Sequence, residues 1–176
     1  MHLRPYALAA LAAAACPACE SDVLTVEREV VVPTLTFDLP AAAADGTLDV
    51  ARSVRAFDLG AELDNLGIPP EGVESVTVAA VEARLSDPAD SLTFADLARG
   101  ELWLVATGLD PVLLGEMPAE PEGTTADFAV FDPALDDYLF VGEGDLDAIF
   151  RVEALETPGD GVAVEVDVTF RVVGGV

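Results

Sequence analysis

The strongest hydrophobic pattern lies at the end of the chain. Val162, Val164, Val166, Val168, Phe170 and Val172 alternate with Ala163, Glu165, Asp167, Thr169, Arg171 and Val173. Side chains of an extended chain point to opposite faces in turn, so this period of two predicts a strand with one apolar and one mostly polar face. A shorter version runs near the start: Leu35, Phe37 and Leu39 alternate with Thr34, Thr36 and Asp38, after the β-branched run Val30-Val31-Val32. Pro33 has no amide hydrogen to donate to a ladder. It therefore splits this stretch into two strands or marks an edge.

Between these ends the pattern is weaker but of the same kind. Leu48 to Leu59 reads as extended, anchored by Leu48, Val50, Val54 and Phe57. Val73 to Leu85 is rich in Val and Thr and predicts a strand, with an Ala-rich helix as the competing reading. Glu101 to Thr107 predicts a strand carrying Trp103, and Val112 to Leu114 is apolar. Ala148 to Leu155 and Val162 to Val173 flank Thr157-Pro158-Gly159-Asp160-Gly161, whose turn chemistry predicts a hairpin. Helix signals are few. Ala61 to Leu66 predicts one turn, stopped by Gly67 and Pro69-Pro70. Thr93-Phe94-Ala95-Asp96 has the form of a capping box, with Gly100 as the stop of a short helix. Asp132-Pro133 predicts an N-cap followed by Pro in the first helical position, and a helix to about Leu139. Met117 to Thr125 is a Pro- and Gly-rich loop, and Phe-Asp-Leu at Phe37 and Phe57 is too short to count as a repeat. The sum is a mainly β chain: an antiparallel β-sandwich, immunoglobulin-like or jelly-roll-like, with one or two short helices. Trp103 and Phe140 are expected in its core.

The first residues break the pattern. His2 and Arg4 precede an unbroken apolar run from Tyr6 to Ala15. That run is too short for a bilayer span, which needs about 20 residues, and has the length of a signal-peptide core. An ordinary secretory cut within the Ala run is one route. The other uses Leu11-Ala12-Ala13-Ala14-Ala15-Cys16, which resembles the lipobox of bacterial lipoproteins, with Ala13 where Leu is usual and Pro17 after the cysteine. The resemblance implies that Cys16 is acylated; Cys19, before Glu20-Ser21-Asp22, is the alternative. Cys16-Pro17-Ala18-Cys19 is also a C-x-x-C, found elsewhere in redox and metal sites, but no second pair or mature-chain histidine accompanies it. The expected organisation is a signal peptide over 1–15, an attachment segment and linker over 16–22, and one acidic domain over 23–176. Further on, Leu92 to Leu97, the short strand Glu101 to Val105, an acidic helix from Asp136 to Leu139 and a long final hairpin are similar in order to those of uncharacterised bacterial lipoproteins with β-sandwich domains. That likeness spans about Ser75 to Val173. It implies the fold and an envelope location, and no activity.

Charge narrows the partners. The 176 residues carry a formal charge of −25, and all 33 acidic residues lie at Glu20 or later. Once Arg4 leaves with the signal, 7 Arg remain and the balance is −26, with no Lys or Gln anywhere. A GC-rich genome is the favoured account of such a composition, and adaptation to salt is the alternative or an addition to it. Nucleic acid is repelled by this charge, as are anionic lipid headgroups, so membrane attachment falls to the acyl chains. An envelope protein or another cationic partner fits, and the domain is expected to be a monomer. The expected location is the cell envelope, lipid-anchored in the outer membrane, or the periplasm or medium if the chain is merely secreted.

Missing residue types exclude much chemistry. The only histidine, His2, leaves with the signal, and there is no lysine. A mature chain without them builds no Ser-His-Asp or Cys-His pair, no Schiff base and no histidine-bound zinc or haem. It has no phosphate loop or dinucleotide fingerprint either. Carboxylate-pair hydrolysis, as on a glycan, survives as the alternative to a non-catalytic binding or structural role. The densest acidic cluster is Asp132, Asp136, Asp137, Glu143, Asp145 and Asp147. It is the candidate calcium site, since calcium takes six to eight oxygen ligands, though its spacing is not that of an EF-hand.

Overall fold

The structure is a computed structural model, and it describes residues 25–39, 46–53, 63, 67–86, 92–140, 146–154 and 162–175. Among these residues ten strands make two antiparallel sheets: β1 (Thr25–Val31), β2 (Leu35–Leu39), β3 (Gly46–Ser53), β4 (Val73–Ser86), β5 (Leu97–Ala106), β6 (Val112–Glu116), β7 (Thr125–Asp127), β8 (Ala129–Val130), β9 (Leu146–Ala154) and β10 (Val162–Gly175). The first sheet runs β1-β10-β4-β7 with β2 also on β10; the second runs β3-β9-β5-β6-β8. Among the described residues three short 3-10 helices accompany them, at Pro70–Gly72, Phe94–Asp96 and Asp136–Phe140. No helix among the described residues is long and apolar enough to cross a membrane.

The alternation at the end of the chain becomes β10, the centre of the first sheet. Val162, Val164, Val166, Val168, Phe170 and Val172 are all buried. β1 pairs with Val31↔Thr169 through Thr25↔Gly175, and β2 pairs with Val162↔Leu39 through Val166↔Leu35. The two lie along the same edge of β10, interrupted at Pro33, which has no amide hydrogen to donate. Val32 keeps contact through its N–H to the Val168 carbonyl, at 2.9 Å.

On the other side of β10 lies β4, a strand throughout. Its burial changes phase, with Val76 and Val78 buried first, then Val81, Ala83 and Leu85. Thr169 pairs with Ala80 and Phe170 with Val78, so Ala79 is left over as a bulge. One extra residue is what a period-two strand needs to keep both halves facing the core. The same strand ends of β10 and β4 meet the Pro70–Gly72 turn closely. A Cβ on Gly174 would sit 2.8 Å from the Gly72 carbonyl oxygen and 2.9 Å from Ile68, so only glycine fits there.

The sheets face each other across one core. Phe37 of β2 meets Phe150 of β9 at 5.5 Å between ring centroids, and Phe128 meets the same ring at 6.3 Å. Gly100 leaves room for this cluster: a Cβ there would lie 3.3 Å from the Phe150 ring. The structure corrects the expectation that Gly100 stops a helix. Thr93 does open a capping box, its N–H reaching the Asp96 carboxylate at 2.8 Å. Yet the helix lasts one turn and β5 begins at Leu97, because Leu97, Leu102 and Leu104 have a core to reach.

The predicted hairpin is also corrected. β9 and β10 lie in different sheets, β9 between β3 and β5, and β10 between β4 and the β1/β2 edge. Among the described strands only β5 and β6 are consecutive and paired, apart from the shared edge of β1 and β2. The helix expected from Asp132 to Leu139 is instead an irregular strap ending in the turn Asp136–Phe140. The strap is tied across the edge of β4. Leu135 N–H donates to the Val76 carbonyl at 3.2 Å, and Val76 N–H donates to the Asp136 carboxylate at 2.9 Å. Bonding to β4 in place of its own turns is what keeps the segment out of a helix. Val54, Phe57 and, apart from buried Leu63, the expected turn 61–66 lie outside the described residues.

Candidate functional site

The outer face of the second sheet carries the most organised polar group. β5 points Leu102, Leu104 and Ala106 inward, so Glu101 and Trp103 face outward. Glu101 is nonetheless only 6% exposed, the one charged residue buried among those described. It is covered by its neighbours. Arg99 Nη2 approaches its carboxylate at 2.7 Å, Trp103 Nε1–H donates to it at 2.9 Å, and Arg151 Nη1 lies 3.8 Å away. Arg99 Nε also reaches Glu116, at 3.2 Å. The Arg151 guanidinium lies over the Trp103 ring, 5.5 Å from its centroid, an attractive arrangement for a cation and an indole face.

Register explains the assembly. Glu101 is opposite Arg151 on β9 and Glu116 on β6, and Trp103 is opposite Ile149 and Leu113. Cross-strand neighbours on one face lie about 5 Å apart, within reach of such side chains. The result is a charged row beside an apolar row of half-buried Ile149, Trp103 and Leu113. An open groove bordered by Arg99, Glu116, Met117 and Pro118 continues the surface past β6. Trp103 is thus not the core residue expected from its size. The signal was present in the sequence: with Leu102 and Leu104 inward, period two puts Trp103 on the face of Glu101. The side chain of Phe140 lies outside the described set.

The outer face of the first sheet is different. Asp167, Glu82 and Asp127 stand opposite one another across β10, β4 and β7. Arg84, one row away, bonds Glu165 at 2.5 Å and Asp167 at 3.3 Å, and the Thr34 hydroxyl donates to Asp167 at 2.6 Å. These carboxylates hold the Arg84 guanidinium above its ordinary range, Glu165 foremost. Directly opposed like charges weaken a sheet, and Glu82 has one on each side. Replacing Glu82 by Gln is therefore expected to raise the melting temperature by roughly 1–3 °C, and more in low salt than in high. Thermal melts of both proteins across a NaCl series check this; a lower melting temperature for the variant would contradict it. Matched ionic strengths of MgCl₂ and CaCl₂ extend the series, since only a specific calcium site gives saturating stabilisation beyond that of magnesium.

The candidate calcium ligands are scattered in what they do. Asp136 is engaged by Val76 N–H, and Asp132 and Asp137 are exposed on the strap. Asp147 is the second residue of β9, opposite Val105 in register. Glu143, Asp145, Cys16 and Cys19 lie outside the described residues. Among the described residues no three His, Cys, Asp or Glu side chains gather as metal ligands. The strap is anchored further by Tyr138, whose hydroxyl donates to the Asp110 carbonyl. Burial, with Asp110 and Asp137 nearby, raises this phenol above the usual tyrosine range.

Between the sheets, Leu35, Leu104, Leu135, Tyr138, Val168 and Phe170 border an apolar gap of about 30 Å³. Ligand pockets are roughly 300–1,000 Å³, so this is a packing gap. Compared with protein-family models and with curated proteins, the sequence matches none.

Proposed function

We infer that this protein is a non-catalytic, lipid-anchored domain of the cell envelope with a binding or structural role. The observation that carries the reading is the apolar run from Tyr6 to Ala15 ending in Cys16, ahead of a chain that builds a sandwich with its own core. Acylation at Cys16, or at Cys19 as the alternative, holds the domain at the outer membrane, while its −26 charge keeps the body away from anionic headgroups. The convergent carboxylates Glu101 and Glu116 share Arg99. Neutralised in this way they suit the holding of a surface in shape better than proton transfer.

Mass spectrometry of the native N-terminus is expected to find a diacyl- or triacyl-modified Cys16. The Cys16→Ser protein is expected to leave the membrane fraction. An unmodified mature N-terminus, or a variant still in the membrane fraction, overturns the anchoring; modification found at Cys19 moves the anchor to that residue.

A further inference from the structure

We propose that the outer face of the second sheet, around Trp103, Arg151, Glu101 and Arg99, binds a neutral glycan chain. The proposal rests on the binding role inferred above and names the class of ligand. Its first support is that the group is built. A carboxylate is buried on the solvent side of a sheet, where it accepts from Trp103 and pairs with Arg99 and Arg151. Burying a charge is costly unless partners compensate it, and a plain outer face needs no such group. What the burial achieves is fixed orientation: an indole, two guanidinium groups and a second carboxylate, Glu116, held in one network.

The second support is charge. Arg99 and Arg151 offset Glu101 and Glu116, with exposed Glu153 opposite Arg99 at the end of the row, within a chain of net charge −25. A cation is drawn more strongly to the row Asp167, Glu82 and Asp127 on the opposite face. An anion is repelled by the domain as a whole. A neutral ligand with many hydroxyls suits the remaining chemistry, because each hydroxyl both donates and accepts, and the network presents half-exposed guanidinium groups beside the half-buried Glu116 carboxylate. The C–H faces of sugar rings have the row Ile149, Trp103 and Leu113 to lie against. Shape is the third support. The surface is an open sheet face continued by the groove along Arg99, Glu116, Met117 and Pro118. Such a surface fits an extended chain crossing the strands better than a small enclosed molecule.

Trp103 is the only tryptophan in the chain, so its emission reports this face alone. The full-length protein, in a detergent without a sugar headgroup, is titrated with cello-, chito- and malto-oligosaccharides. A saturating shift of Trp103 emission is expected with at least one of them, matched by calorimetry. Arg151→Lys keeps the charge but loses the planar fork and is expected to weaken binding about tenfold or more, as is Arg151→Ala. Glu82→Gln, on the opposite face, is expected to leave binding unchanged. Circular dichroism confirms that each variant is folded. No saturating signal with any of the three series overturns the proposal, as does binding that survives both Arg151 substitutions. Cys16 acylation is measured separately, so failure here leaves the anchoring reading standing.

Discussion

Truncating Phe150 to alanine is expected to lower the unfolding free energy by about 3–5 kcal/mol. The ring is fully buried on β9, and it is the point where the second sheet touches Phe37 of the first. Phe128 lies against it from the segment between β7 and β8, and Gly100 is kept bare beside it. Removing it takes away the burial of a large apolar side chain and leaves a void between two sheets, whose backbones are held by ladders and close on it only partly. Domains of this size are held by about 5–15 kcal/mol in all, so a loss of that order leaves a marginal protein. Urea titration with an unchanged dependence on denaturant and a lower midpoint gives the measurement. A loss below about 1 kcal/mol would mean that the two sheets do not meet at this ring.

The second large effect concerns Glu101. Its replacement by alanine is expected to cost about 1–3 kcal/mol, although a glutamate on the outer face of a sheet is ordinarily dispensable. The carboxylate accepts from Trp103 and pairs with Arg99 and Arg151. Without it the indole N–H loses its partner, and the two guanidinium groups repel one another across the vacated position. The arginines remain half exposed, so water takes over part of the lost interaction. That is why the cost stays below the loss expected for a charge orphaned deep in a core. Trp103 emission is expected to move to longer wavelength as the ring becomes wetter. A Glu101→Ala protein with unchanged stability and unchanged emission would show that the carboxylate does not organise this face.

Both predictions turn on which residues face which way, and that much the sequence largely determined. The alternation in β10 specified its buried face residue by residue, as did Leu35, Phe37 and Leu39 in β2. A side chain's face in a strand follows from local geometry alone, so composition and order suffice to read it. Pro33 marked the interrupted edge for the same local reason, and Val78-Ala79-Ala80-Val81 carried the phase change that the bulge absorbs. Even Trp103, expected in the core for its size, was placed outward by Glu101 two residues before it. The N-terminal run and its cysteines are likewise local features, legible without any fold.

Pairing was decided only by the tertiary structure. β9 and β10 each have one apolar face and two edges, and nothing along the chain says which edge meets which neighbour. The Pro- and Gly-containing link between them reads as a hairpin turn, yet it serves equally to carry the chain from one sheet to the other. Hydrogen-bonding edges are alike for every sequence; the choice falls to long-range packing, here of Phe150 against Phe37 and Phe128. The strap shows the same division. Asp132-Pro133 is a sound local helix start, but bonds from Leu135 and Asp136 to Val76, far away in sequence, hold the segment along β4 instead. The Glu101 cluster was out of reach for this reason too. Glu101, Arg99 and Trp103 are neighbours in the chain, whereas Arg151 and Glu116 join them only because β9 and β6 flank β5. Long-range register, which no local pattern encodes, turned scattered charges into one surface.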